Sequence, residues 1–331
     1  MRSKLVDRLG DPSIPTLATV LDPAELAKQL SQLSIPQWQW DASQGIQLRV
    51  IQWKKASRCT FEIALRTASG SQELIGKVYA EDRSDVYQTI REIRRAGFDS
   101  EAEFAIPRPV AFLAPLRLLL YEKAPGVRAK DFILSPKESD RSLAAERCAR
   151  WLVRFHAIGP RLGRVFLLDD HLIALERCRR RLADLGRPVA DKAGRLFEEL
   201  KITASGLGSV ELRPGHGVYT ASQVILVGDR TVTIDWDTYC VADPCRDVAR
   251  FVIELQRLAL KKLGSIHALE GAAEVFLKTY IGAGGPAVST RLPFQKAATC
   301  LERADHDVDK QDRGWRERAE VMLDEGLRVL G

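Results

Sequence analysis

Hydrophobic and polar positions alternate with two different periods along the chain, and each period predicts a different kind of element. Between Ile46 and Tyr79 apolar residues recur at every second position, interrupted by polar turns at Lys54–Arg58 and Ser69–Gln72. A period of two with polar turns is typical of half-buried antiparallel strands. The sequence therefore predicts three strands here, and a further buried strand at Leu118–Tyr121.

Elsewhere the apolar residues recur at three and four positions, which is the spacing of one helix face. A helix that braces the small N-terminal lobe is predicted after Asp22, an N-cap residue followed by Pro23. Further helices are expected at 84–96, 143–155 and 248–259, with two within 161–207 and three in the C-terminal part. The acidic run ADHDVDKQD at 304–312 is interpreted as a solvated turn, and the alternative is a site for a cationic substrate.

A second strand pair, 223–227 and 231–235, is joined by a turn at Gly228 and preceded by a loop that opens at His216. The carboxylates Asp235, Asp237 and Asp243 follow the second strand within nine residues, and Asp247 lies in the first turn of the next helix. Mg²⁺ needs a few hard oxygen ligands and leaves its remaining positions to water and phosphate. The pattern therefore predicts a site for a metal-bound phosphate.

This stretch resembles the catalytic core of the aminoglycoside phosphotransferase and choline kinase-like family. The family pattern is His-Gly-Asp, four residues, Asn, a strand pair, Asp-(Trp/Phe)-(Asp/Glu), then Asp-Pro, two residues and Asp. The chain keeps these residues at the family's spacing: His216, Gly217, Asp235, Trp236, Asp237, Asp243, Pro244 and Asp247. It departs at two positions, with Val218 in place of the catalytic base and Gln223 in place of the metal-binding Asn. Glutamine offers the same carbonyl oxygen, whereas an isopropyl group cannot accept a proton.

The resemblance implies an α+β, two-lobed protein kinase-like fold. Residues 1–124 are expected to form the ATP-binding lobe, an antiparallel sheet with an N-terminal helical extension. Residues 125–331 are expected to form a larger, mostly helical lobe that carries the catalytic-loop hairpin and substrate helices. Two residues of this lobe are given structural roles. His156 is expected to be a core residue, and Asp247 to hold the catalytic loop by accepting backbone hydrogen bonds.

The same resemblance implies a set of ligand contacts for ATP and Mg²⁺. Gln223 and Asp235 are expected on the metal, and Lys77 on the phosphates, with Glu92 either orienting Lys77 or remaining a solvated charge. The first turn of the small lobe, WKKASRC, lacks glycine, so Ser57 and Arg58 either contact phosphate or belong to a plain basic turn. The backbone of Glu122, Lys123 and Ala124 is expected to contact adenine.

Val218 leaves two functional hypotheses open. One is a catalytically impaired, pseudokinase-like protein that binds Mg-ATP and acts through a protein partner. The other is an active phosphotransferase on a small hydroxyl or amino compound, in which Asp237 or the substrate takes over the proton. A third hypothesis, an unrelated α+β binding protein, requires the whole motif to be a coincidence.

Composition and charge agree with a nucleotide ligand and exclude several other classes. The net charge of +6 and the pI near 9.0 permit attraction to anions, but the basic residues are scattered, so no nucleic-acid partner is predicted. Six cysteines are too few for a disulfide framework in a chain of 331 residues. The charged N-terminus and the lack of a long apolar run predict a cytoplasmic protein with no membrane partner.

Overall fold

In a computed structural model of the protein, the alternating segment forms the three antiparallel strands that its pattern predicts. The structure describes residues 10–33, 45–67, 70–286 and 288–331, so Ser69 and the charged segment 1–9 lie outside the described residues. Two units are distinguished, Met1–Pro125 and Gly126–Gly331. The first contains α1 (Leu17–Val20), α2 (Pro23–Ser31), α3 (Ser84–Arg95), β1 (Ile46–Lys54), β2 (Arg58–Thr67), β3 (Gly70–Tyr79), β4 (Phe104–Ala105), β5 (Pro109–Leu113) and β6 (Leu118–Glu122).

The sheet of the first unit has the order β1-β2-β3-β6-β5. In this sheet Lys77 of β3 pairs with Thr60 of β2 on one side and with Leu119 of β6 on the other. Side chains alternate across a strand, so Lys77 lies on the face opposite Val78, whose side chain belongs to the apolar core. Gly76 is required in that core, because a Cβ there would lie 2.4 Å from the Phe61 ring.

Helices α1 and α2 cover the apolar face of this sheet. The Asp22 carboxylate caps α2 by accepting the N–H groups of Ala24 (2.9 Å) and Glu25 (3.1 Å), as the sequence predicts. Leu26 and Leu30 of α2 are buried in the same core as the strands. The predicted N-terminal brace is therefore confirmed.

The second unit is mostly helical. One apolar core, which includes Leu196, Leu301 and Leu323, is shared by four helices: Leu168–Ala183, Val189–Ser205, Leu292–Lys310 and Trp315–Leu330. The elements are β7 (Val127–Arg128), α4 (Ala129–Ile133), α5 (Glu138–Ile158), β8 (Val165–Phe166), α6 (Leu168–Ala183), α7 (Val189–Ser205), β9 (Arg213–Gly215), β10 (Val224–Val227), β11 (Arg230–Thr233), β12 (Cys240–Ala242), α8 (Cys245–Leu263), α9 (Glu270–Gly282), α10 (Leu292–Lys310) and α11 (Trp315–Leu330).

The acidic run at 304–312 is not the solvated turn that the sequence predicts. Its residues up to Lys310 belong to α10, and Asp305 and Asp307 are buried. Arg181 of α6 pairs with Asp305, and Arg257 of α8 pairs with Asp307. The prediction is wrong because a count of local charges contains no information about arginines that face the run from other helices.

Two further features of the described residues concern the cysteines and the membrane. All six cysteines are free and buried. Within the described ranges, no helix combines the length and the apolar character that crossing a bilayer requires.

Candidate active site

The β10–β11 hairpin brings the two predicted metal ligands together. The strands pair from Val224 with Thr233 to Val227 with Arg230, and the N–H of Ile234 donates to the Gln223 carbonyl at 2.9 Å. This extra bond extends the ladder by one residue on each strand. The Gln223 amide nitrogen then lies 3.5 Å from Asp235 Oδ2.

The backbone at Asp235 is bent sharply at the end of the hairpin. Its φ of 73° is in the left-handed region, where residues other than glycine are uncommon and are found mostly at turns and functional sites. A 3₁₀ turn at Trp236–Thr238 follows directly. The bend ends the strand and leaves the half-buried Asp235 side chain beside Gln223.

An amide oxygen and a carboxylate form a donor set that suits Mg²⁺. In the structure Gln223 Oε1 accepts a hydrogen bond from Thr220 Oγ1 at 3.1 Å, and the amide nitrogen faces Asp235. Rotation of the amide by half a turn exchanges these atoms and places Oε1 beside the carboxylate, while Thr220 becomes the acceptor. Among the described residues there is no group of three His, Cys, Asp or Glu side chains that could hold a metal ion.

The loop that precedes the hairpin is held by Asp247 at the start of α8. Its Oδ2 accepts the N–H of His216 at 2.7 Å, and its Oδ1 accepts the N–H of Gly217 at 2.9 Å. Gly217 has a φ of 84°, and a Cβ at this position would lie 2.3 Å from the Thr238 carbonyl oxygen. The sequence prediction that Asp247 fastens this loop through backbone hydrogen bonds is confirmed.

The surroundings of Asp247 favour its ionised form. Burial by itself raises the pKa of this carboxyl, but the hydrogen bond and charge of His156 and the N–H of His216 outweigh it and lower the pKa below 3.8. His156 Nε2 lies 3.5 Å from Asp247 Oδ2, and its Nδ1 lies 2.7 Å from the Tyr280 hydroxyl. His156 is fully buried with both nitrogens paired, which confirms its predicted role as a core residue.

His216 joins its loop to the end of the hairpin. Its Nε2 donates to the Ile234 carbonyl at 3.0 Å, and its ring lies 4.7 Å from the Trp236 ring. The next aromatic residue, Tyr219, is buried, and its hydroxyl donates to the Cys148 carbonyl at 2.8 Å. The His216 side chain is itself fully buried, so these contacts position the loop.

Val218 and Asp237 lie on two segments that are bonded to each other. Thr238 Oγ1 donates to the His216 carbonyl at 2.9 Å, which fastens the 3₁₀ turn carrying Asp237 to the loop carrying Val218. Both side chains are half-buried. The loop therefore carries the Val218 side chain, a hydrocarbon group, at the position of the family's base. The Asp237 carboxylate lies on the adjoining turn.

A hollow of about 160 Å³ begins directly after this loop. Its lining includes Thr220, Ser222, Glu254, Arg257 and Lys261. Glu254 is ionised, because the charges of Arg303, Arg250 and Arg257 outweigh the effect of burial and lower its pKa. The lining of the hollow thus contains both negatively and positively charged side chains, next to the segment that holds Gln223.

In the first unit, Lys77 is almost fully buried, with 4% of its surface exposed. Glu92, the carboxylate considered as its partner, pairs with Arg95 on the same helix and is 37% exposed. This arrangement favours the alternative in which Glu92 is a solvated surface charge.

The turn between β1 and β2 is closed by its own backbone. The N–H of Ser57 donates to the Lys54 carbonyl at 3.1 Å, and the Ser57 carbonyl accepts the N–H of Ala80 at 2.8 Å. Arg58 begins β2 opposite Tyr79. The Ser57 amide is thus already used within the unit.

Two of the three amides expected to face adenine are also used within the first unit. The N–H of Glu122 donates to the Arg108 carbonyl at 2.9 Å, and that of Lys123 donates to the Glu73 carbonyl at 3.2 Å. Their side chains pair with Arg108 and Glu73, respectively. Ala124, the first residue after these bonds, is the remaining candidate for a backbone contact.

Sequence reasoning missed two threonines that shape the site. Thr220 lies three residues before Gln223, and this short spacing is a local signal of a side-chain contact. Thr238 contacts the carbonyl of His216 across 22 positions, and no local pattern indicates such a contact.

The chain matches the model of a known protein family. The model of the family described as "Phosphotransferase enzyme family" matches residues 59–281. None of the curated proteins matches the chain.

Solved structures resemble most of the chain at low sequence identity. Aminoglycoside phosphotransferase APH(4)-Ia is 16% identical, with a TM-score of 0.63, over 92% of this chain and 99% of that one. A choline/ethanolamine kinase family protein from Mesorhizobium loti is 14% identical, with a TM-score of 0.59, over 96% and 93%. A thermostable mutant of APH(4)-Ia, solved with ADP and hygromycin B, is 16% identical with a TM-score of 0.62, over 86% of this chain and 94% of that one. The predicted α+β kinase-like fold is confirmed.

Proposed function

Because the chain belongs to the phosphotransferase enzyme family, we propose that it binds Mg-ATP and that its phosphoryl transfer is impaired. Gln223 and Asp235 hold the metal, and Lys77 contacts the phosphates. The observation that carries this proposal is the meeting of the Gln223 amide and the Asp235 carboxylate at the end of the hairpin. The neighbour solved with ADP supports a nucleotide as the ligand.

Adenine recognition is assigned to the backbone at Ala124. The amides of Glu122 and Lys123 donate to carbonyls of their own unit, so a base has to compete with existing bonds at those two residues. A bonded amide must first lose its partner before it can donate to a ligand. Ser57 and Arg58 contribute their side chains to the phosphates.

Impaired turnover follows from Val218. Phosphoryl transfer has a loose transition state, so positioning and charge neutralisation supply most of the acceleration. A general base adds about 10²–10⁴-fold. A chain that keeps the metal ligands and replaces the base is expected to bind ATP well and to transfer its phosphoryl group slowly, and a protein partner is then the expected target.

A second candidate is an active phosphotransferase in which Asp237 accepts the proton of a small acceptor. The bond from Thr238 to His216 supports this alternative, because it fastens the Asp237 turn to the loop that carries Val218. The adjoining hollow of about 160 Å³, with Glu254 and Lys261, offers space for a small hydroxyl or amino compound.

Calorimetric titration with ATP, with and without Mg²⁺, tests the binding proposal. The wild type should bind ATP in a magnesium-dependent manner, and Asp235→Asn should weaken binding by roughly 10-fold or more, because a charge-assisted metal contact is lost. Asp229→Asn is the matched control, since this exposed carboxylate lies in the turn of the same hairpin. Equal affinities of the Asp235→Asn protein and the wild type would remove Asp235 from the site.

Val218→Asp distinguishes the two functional candidates. If turnover is limited by the missing base, ATP hydrolysis should rise by about 10²-fold or more, within the usual range for a general base. If Asp237 already accepts the proton, Val218→Asp should change the rate of ATP hydrolysis little. Asp237→Asn should then abolish turnover. Steady-state phosphate release from all three proteins provides the comparison, and a rise in Val218→Asp together with no loss in Asp237→Asn favours the impaired kinase.

A further inference from the structure

A buried carboxylate from the N-terminal segment lies beneath the turn between β1 and β2. Asp11 Oδ2 accepts the N–H of Ala56 at 2.7 Å and the indole N–H of Trp53 at 3.2 Å. Its Oδ1 accepts the N–H of Ser13 at 3.0 Å. Asp11 is 6% exposed, and its bonds to Ser13, Trp53 and Ala56 are partly buried.

The turn needs such support because of its backbone conformation. Ala56 has a φ of 56°, in the left-handed region that glycine adopts readily and that a Cβ disfavours. The segment from Trp53 to Cys59 contains no glycine. The hydrogen bond from the Ala56 N–H to a carboxylate stabilises the conformation in which this residue is held.

The position of the turn gives this bond a consequence for Ser57 and Arg58. Both follow Ala56 directly, and the Ser57 carbonyl and amide are bonded to Ala80 and Lys54. A change of φ at Ala56 therefore redirects the Ser57 hydroxyl and the start of β2 together. The shape of the turn depends on a residue 45 positions earlier in the chain.

We propose that Asp11 is a positioning residue for nucleotide binding: its carboxylate holds Ala56 in the left-handed conformation and so presents Ser57 and Arg58 to the phosphates. Asp11 thereby does for this turn what a glycine at position 56 would do without help. The inference rests on the proposed binding of Mg-ATP. The bond from Ala56 is also the largest contribution to the lowered pKa of Asp11, which keeps the carboxylate ionised.

Three variants separate positioning from general stability. Asp11→Ala removes the carboxylate, and Ala56→Gly in the Asp11→Ala background restores easy access to a positive φ. Asp22→Ala is the matched control, because it also removes a carboxylate that accepts backbone N–H groups in the N-terminal segment but does not touch the turn. Calorimetry with Mg-ATP and with adenosine, together with a thermal melt, is applied to each protein.

Asp11→Ala should weaken Mg-ATP binding by roughly 10-fold, the effect of losing one well-placed charge-assisted contact, and should leave adenosine binding unchanged. Ala56→Gly should recover most of this loss in the double variant. Asp22→Ala should lower the melting temperature and leave the Mg-ATP affinity as in the wild type.

The possible failures differ from one another. A wild type that does not bind Mg-ATP overturns both the proposed function and this inference. A wild type that binds, with an Asp11→Ala protein of equal affinity, overturns the inference alone. An equal loss in Asp22→Ala, an equal loss of adenosine binding, or no recovery with Ala56→Gly shows that Asp11 acts only through the stability of the N-terminal segment.

Discussion

At the scale of single residues, Asp247 determines the conformation of the loop on which the candidate active site depends. One carboxylate accepts two consecutive backbone N–H groups, at His216 and Gly217, and also faces His156. The left-handed conformation at Gly217 allows the loop to pass the Thr238 carbonyl without a clash. The conformation of the loop is thus set by the buried Asp247 carboxylate and by a glycine.

Asp247→Asn should destabilise the protein by about 2–3 kcal/mol, because an amide offers one acceptor where the carboxylate offers two. The NH₂ group of the introduced amide would face a backbone N–H of the loop, and two donors cannot bond to each other. Chemical denaturation of the variant and of Asp229→Asn, an exposed carboxylate, measures the difference. A variant as stable as the wild type would show that the loop is held by other contacts.

The lowered pKa of Asp247 also predicts a pH dependence. A carboxyl whose pKa is lower in the folded state stabilises the fold above its ordinary pKa, and this contribution is lost as the pH falls through the folded-state value. The wild type should therefore lose stability relative to Asp247→Asn only in acid, below 3.8. The difference in the free energy of unfolding between the wild type and Asp247→Asn should not narrow above neutral pH. Such a narrowing would contradict this assignment.

At the scale of elements, α10 is a helix that buries two acidic side chains. Asp305 and Asp307 are 5% and 1% exposed, and each faces an arginine of another helix. Arg257 donates from Nε to Asp307 Oδ2 at 3.2 Å and also pairs through a second nitrogen. Such two-point pairing fixes the orientation of α8 against α10.

Asp307→Ala should cost about 3–5 kcal/mol, because it leaves the Arg257 guanidinium partly buried without its main acceptor. Asp309→Ala, two positions along the same helix, removes an exposed carboxylate and serves as the control. Urea unfolding of both variants tests the difference. Similar stabilities of the two would indicate that Glu254 compensates for the lost partner of Arg257.

At the scale of the whole molecule, each unit has its own apolar core. Lys77 belongs to the first unit, and Gln223 and Asp235 belong to the second. Under the proposed function, Mg-ATP stabilises the folded chain by mass action. At a free ligand concentration 100-fold above Kd, the free energy of unfolding should rise by about 2.7 kcal/mol. A thermal melt with ATP, with and without Mg²⁺, should show this rise only with the metal, and Asp235→Asn should lose most of it.

Much of the fold could be predicted because it is encoded locally. The period-two pattern at 46–79, the Asp22 cap and the helical spacing of α5 and α8 each depend on residues close together in the chain. The motif from His216 to Asp247 is similarly compact, so its resemblance to a family was visible without a structure. Local signals of this kind are read reliably from a single sequence.

The sequence by itself determined the strands, the helices and the order of the site residues, because hydrophobic period and motif spacing are properties of neighbouring positions. Only the tertiary structure decided which side chains meet. It showed that Asp11 supports Ala56, that Thr238 fastens the loop at His216, and that Asp307 is neutralised by Arg257. These pairs are separated by 22 to 50 positions. A contact over such a distance depends on how whole elements pack, and no local pattern records that packing.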